Sequence, residues 1–324
     1  TTVREEDLMT SPVPHQPQPS SPALTVLALG GYGAAGSYAV EHLRSRGHTV
    51  TTAGRDATRA DLVLDLGDLA AVARAAASAD VVLNTSGRED PRVVTAATGA
   101  GAAFVDITAT ATYIAGIEAL DLAAPVALSV GIAPGLTNLL AHAAARQSPL
   151  PLDVAIVLGA GEQHGAAGAA WVYGMLGQSF VDPATRSPVR SYTRPATFDL
   201  PTGRRRLYRT DFSDQTTLTA ELDRPVRSYF GLDSRFATTS LAALTWVPGA
   251  RHLPTSIPMP GGERWYLQVR DAERVHGSAT GVGQSRATGL MAALAVERVR
   301  AAGAGVHHLP SLMSVEDVDL TVFG

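Results

Sequence analysis

The sequence predicts an α/β protein: a doubly wound parallel sheet at the N-terminal end, followed by a second, α+β domain. Three observations carry this. Short apolar runs alternate with helical patterns up to about residue 148, a glycine-rich turn joins the first run to the first helix, and period-two segments dominate after residue 151. With 324 residues, 45% of them hydrophobic, the chain can bury the core that two such domains need.

The elements follow in order. Residues 1–22 are rich in Pro, Ser and Gln and read as a disordered leader, with Met9 placed like a native start. The runs at 24–29, 48–52, 62–64, 81–84, 103–106 and 126–129 are short, apolar and bounded, as strands buried on both faces are. Helical spacing fills the gaps at 34–46, 68–77, 91–99 and 111–120, and returns at 136–146. Alternation of this kind implies right-handed crossovers and six parallel strands in a domain spanning 23–150. The second domain, 151–282, opens with an apolar strand at 152–159 and a helix at 166–180. Alternating segments between 192 and 233, including 207–212 and 216–222, and a period-two run at 264–270 predict antiparallel strands with helices on one side. An alanine-rich helix at 283–302 begins a final segment, 283–324, expected to pack back on the first domain.

Composition removes several classes of chemistry. There is no cysteine, so thiolate nucleophiles, disulfides and thiolate-bound zinc are excluded. All 26 residues counted as Lys or Arg are arginine, which rules out Schiff-base lysines and lysine bases. It also removes the tyrosine–lysine pair of a short-chain dehydrogenase. A net charge of -4 gives no footprint for nucleic acid or an anionic membrane. No run approaches the roughly 20 apolar residues that span a bilayer, and residues 1–22 lack a secretory signal, so the expected location is cytoplasmic.

The glycine turn carries the first functional inference. Gly31-x-Gly33-x-x-Gly36 follows a strand and opens a helix, the context of a dinucleotide-binding Rossmann fingerprint. Gly31 permits the turn, Gly33 and its neighbours Tyr32, Ala34 and Ala35 let the backbone approach a pyrophosphate, and Gly36 lets helix and strand pack closely. After the second strand, where an NAD site places a carboxylate for the ribose, stands Arg55. A guanidinium there suits a 2′-phosphate, so the expected cofactor is NADP(H), with Arg59 assisting; the competing reading is a solvated loop arginine. Asn84, Thr85 and Ser86 close the fourth strand beside the expected crevice, as cofactor contacts or as an ordinary turn. Asp106 and Thr108 end the fifth in the same way, as cofactor or substrate contacts or as caps of the next helix.

Several motifs together resemble the saccharopine dehydrogenase-like reductases. They are Gly30-Gly-Tyr-Gly-Ala-Ala-Gly36, Ala53-Gly-Arg-Asp56, Ala79-Asp-Val-Val-Leu-Asn-Thr-Ser-Gly87, Phe104-Val-Asp-Ile-Thr108 and Val130-Gly-Ile-Ala-Pro-Gly-Leu-Thr-Asn-Leu-Leu140. The resemblance covers roughly residues 23–180 and implies an NAD(P)-binding Rossmann domain and redox chemistry at C–N bonds. It secures fold and cofactor ahead of reaction.

For proton transfer the loop Gly159-Ala-Gly-Glu-Gln-His-Gly165 is the leading candidate, with His164 as acid and Glu162 tuning it or binding a cationic substrate. Against it stands a plain loop in which His164 bonds to backbone. His307-His308 lacks an acidic partner at ligand spacing, so no metal is expected. Arg204-Arg-Arg206 reads as a solvated hairpin turn, and Trp171, Trp246 and Trp265 as core. The expected function is an oxidoreductase reducing a C=N bond of an amino-acid-derived or specialised-metabolite substrate. Reduction of C=O or C=C, or cofactor binding without turnover, are the alternatives. The expected partner is a small molecule, and the C-terminal helix or a sheet face offers a surface for a homodimer.

Overall fold

The structure is a computed structural model that describes residues 22–162, 166–254 and 260–324. Residues 1–21 of the expected leader, and His164, lie outside the described residues.

The first layer is built from β1 (Thr25–Leu29), α1 (Ala34–Ser45), β2 (Thr49–Gly54), β3 (Leu62–Val63), α2 (Leu69–Ala76), β4 (Val81–Asn84), α3 (Pro91–Gly99), β5 (Ala103–Asp106), α4 (Ala111–Glu118), β6 (Pro125–Leu128) and α5 (Leu136–Ala145). These residues form strands because alternate side chains are buried on opposite faces. Leu27, Leu29, Val82 and Phe104 meet α2, α3 and α4, while Val26, Ala28, Leu83 and Val105 face a second core. Helices start where the chain supplies caps: Asp68 accepts from Ala71 N–H, and Asp90 precedes Pro91 and accepts from Arg92 N–H.

The second layer follows with β7 (Leu152–Leu158), α6 (Ala166–Gly174), β8 (Ser179–Val181), β9 (Pro188–Arg190), β10 (Thr193–Leu200), β11 (Gly203–Arg209), α7 (Ser213–Glu221), β12 (Val226–Leu232), α8 (Arg235–Leu244), β13 (Arg264–Arg270) and β14 (Val275–Val282). The chain then returns as α9 (Gln284–Val299) and β15 (Gly305–His308).

The first sheet is fully parallel, in the order β15-β6-β5-β4-β1-β2-β3. It therefore has seven strands where the sequence predicts six. The added one is the His307-His308 segment, in which His308 bonds Ser129 Oγ at 3.1 Å and Glu118 at 2.9 Å. The order reverses between β1 and β4, and a crevice opens at that point. Among the described residues no helix is long and apolar enough to cross a membrane.

The second sheet runs β10-β11-β12-β7-β13-β14. It is mixed, not antiparallel throughout, because β12 pairs parallel to β7. It also curls. Gln268 Nε2 donates to Asp199 O across the sheet at 3.0 Å, and the Arg270 guanidinium stacks 3.8 Å from the Phe198 ring centroid. A small core of Val157, Phe198, Leu207, Tyr229 and Tyr266 fills the concave side.

Three local expectations are corrected. Residues 216–222 lie in α7 and its C-cap, not in a strand, because Ser213, Asp214, Thr217 and Leu218 are buried at helical spacing; burial overrides the strand preference of threonine. The helix expected over 166–180 ends at Gly174, and after the left-handed turn at Gly177 the chain becomes β8. Of Arg204-Arg-Arg206, Arg205 is buried and donates to the carbonyls of Leu232 and Asp233.

Candidate functional site

Where β1 ends, Gly30 has φ +70°, and a Cβ there would lie 2.6 Å from Ser86 Cα, so the left-handed turn residue is Gly30 and not Gly31. A Cβ on Gly36 would lie 2.5 Å from Thr85 Oγ1, so glycine there lets α1 press against the end of β4. Gly33 caps α1 with no side-chain hydrogen bond. Among the described residues no side chain accepts from the first-turn N–H groups of α1, as an anion site requires.

From this loop Tyr32 crosses to the end of β2. Its hydroxyl lies over Gly54 and accepts from Asp56 N–H at 3.4 Å, and the Arg59 guanidinium stacks 4.8 Å from its ring centroid and donates to its carbonyl. Arg59 is therefore engaged, whereas Arg55 makes no ion pair or hydrogen bond with another described residue. Tyr32, Gly33, Gly54, Arg55, Asp65, Thr85 and Ser86 line one cleft of about 450 Å³.

Asn84 and Asp106 support this cleft from behind. Asn84 Nδ2 donates to Asp106 Oδ2 at 2.8 Å, and Asn84 Oδ1 accepts from Ser86 Oγ at 2.6 Å. Asp106 also accepts from Tyr113 Oη at 3.0 Å and Thr108 N–H at 2.8 Å. Burial raises its pKa against these hydrogen bonds. Both side chains are buried and set the paths of the 84–88 and 106–110 loops.

A second cleft of about 520 Å³ continues from the first past Thr85 and Gly87 and passes between the two sheets. Ala34, Ala35 and Thr108 line it on one side; Leu158, Trp171 and Phe212 wall it on the other. Trp171 meets Phe212 edge-on at 4.7 Å between centroids, so it serves this wall. Trp265 is fully buried, and Trp246 is exposed beneath Arg190. The N-terminal residues of α9 (Gln284, Ser285 and Thr288) also reach the second cleft. Glu162 holds that helix in place: its two carboxylate oxygens accept from Gln284 N–H at 2.6 Å and Ser285 N–H at 2.9 Å. The apolar walls and Glu89 escape the sequence reading because they come from loops and strands far apart in the chain.

The fold these elements define is saccharopine dehydrogenase-like. Among solved structures, saccharopine dehydrogenase (L-Glu forming) from Saccharomyces cerevisiae is similar with a TM-score of 0.56 and 11% identity, over 88% of this chain and 94% of its own. WbmG from Bordetella bronchiseptica, in complex with NAD, is similar over 33% of this chain and 52% of its own, with a TM-score of 0.26 and 18% identity. UDP-N-acetylglucosamine 4-epimerase from Bacillus cereus covers 27% of this chain and 40% of its own, with a TM-score of 0.24 and 18% identity. No protein-family model and no curated protein matches the chain.

Proposed function

We propose that this protein is an NADP(H)-dependent oxidoreductase that reduces a C=N bond in the cleft between its two sheets. One observation carries the reading. The uncapped N-terminus of α1 opens onto a cleft flanked by the unpaired Arg55, and that cleft runs on into an apolar one. An anionic dinucleotide fits the first half, with Gly31, Tyr32, Gly33, Ala34, Ala35 and Gly36 giving it backbone and Arg55 meeting a 2′-phosphate. Thr85, Ser86 and Thr108 border its other end, and Asn84 and Asp106 hold their loops. A bound dihydronicotinamide supplies hydride to the carbon of the C=N bond. The chain's part is to orient the substrate against that end and to exclude water with Trp171 and Phe212.

An iminium substrate already carries its proton. A neutral imine needs an acid, the role the sequence gives His164. His164→Ala is expected to slow a neutral imine or ketone by roughly a hundredfold or more and to spare an N-alkylated iminium. Equal rates for the variant and the wild type on a neutral imine would remove His164 from the reaction. Glu162 acts here as a positioning residue, since both its oxygens hold α9.

Calorimetric titration tests the cofactor. NADPH is expected to bind at least tenfold tighter than NADH, and Arg55→Asp to abolish that preference. Absence of binding by either nicotinamide would end the oxidoreductase reading. Capture of Glu162 by α9 favours a second reading, nucleotide binding without turnover. It predicts tight NADPH binding with no oxidation by imines, ketones or enones.

A further inference from the structure

All 26 residues counted as Lys or Arg are arginine, yet among the described residues no arginine lines the apolar half of the cleft. The charged residue that does line this half is an acid, Glu89, in the loop after β4. Of its two arginine neighbours, Arg88 lines the adjoining first cleft, and both bind Asp90. Arg88 donates to Asp90 at 3.0 Å, and Arg92 grips the same carboxylate with two bonds of 3.0 and 2.8 Å. Glu89 receives one hydrogen bond, from Thr110 Oγ1 to Oε1 at 2.6 Å, which leaves Oε2 without a partner among the described residues. The same cleft is lined by Leu158, Leu232 and the edge-on pair of Trp171 and Phe212.

We infer that the substrate is an apolar, ring-bearing iminium without a carboxylate, reduced to the corresponding amine, and that the positive nitrogen of both pairs with Glu89. This deepens the oxidoreductase reading and rests on it. A carboxylate entering this cleft would meet no guanidinium among the described residues that line it and would be repelled by the exposed Glu89, and moving a charge out of water without a partner is unfavourable. An ammonium or iminium keeps a counter-ion as it enters. Its ring fills a space walled by aromatic and aliphatic groups.

The test titrates 2-phenylpyrrolidine and its 5-carboxylated counterpart into the full chain, with and without NADPH. The amine is expected to bind at least tenfold tighter than the carboxylated compound. Glu89→Gln should weaken the amine roughly three- to tenfold, the range for a partly screened ion pair, while NADPH binding stays at the wild-type level. Equal or tighter binding of the carboxylated compound would overturn the inference. So would an unchanged amine affinity in Glu89→Gln, or failure of both compounds to bind. The NADPH titration is read separately. Should it fail, the cofactor reading falls, and the cofactor-free amine titrations still decide the ligand class.

Discussion

Asp214 lies fully buried between α7 and β12, where Ser228 Oγ donates to its Oδ1 at 2.7 Å. Burial pushes its pKa from 3.8 up to about 6. Between those values the folded chain holds a proton that the unfolded chain has released. Stability therefore falls as pH rises through this window and levels off above it. At about 1.36 kcal/mol per unit the fall is roughly 2–3 kcal/mol. Asp214→Asn should remove that part of the pH dependence, seen by urea denaturation at pH 4.5 and 7; an unchanged fall would place its origin elsewhere. Nothing in the sequence marks Asp214, because its environment is made by β12, fourteen residues on. Arg55 was legible because its neighbours in the chain define its place. Glu89 was not: Thr110 and the aromatic wall come from other segments.

At the scale of elements, the first layer was readable because both faces of β1, β4, β5 and β6 are buried and α2 and α3 begin at capping aspartates; β3, exposed at Leu62 and Val63, departs from the buried strand expected there. The α7 segment was not, since threonine-rich stretches take their conformation from what covers them. Nor was β15, which is short, half-buried and half histidine. The contact between α1 and α9 depends on one small residue. A Cβ on Gly289 would lie 2.5 Å from Ala35 O and 2.8 Å from Tyr38 Cβ. Gly289→Val should therefore force the helices apart at about 1–3 kcal/mol, lowering the melting temperature. Because Ala35 stands in the first turn of α1, NADPH affinity should drop as well. A variant that melts lower but binds NADPH normally would show that α9 supports the fold alone.

At the scale of the whole molecule, one hydrophobic core joins the two layers. It runs from Val26, Leu83 and Val105 through α1, α5 and α9 to Val154, Phe230 and Leu267 of the second sheet. Glu162 ties a loop of the second layer to the helix that packs on the first, so the clefts are walled by parts of a continuous structure. The return of the chain through α9 to β15 also orders events during synthesis. A ribosome releases β6 long before β15 exists, and in between it makes the entire second sheet. Until then β6 presents an open edge, and α1 lacks the helix that covers it. The nascent first layer is thus an unfinished sheet with a sticky border, dependent on slow, long-range closure and on protection from its neighbours while it waits.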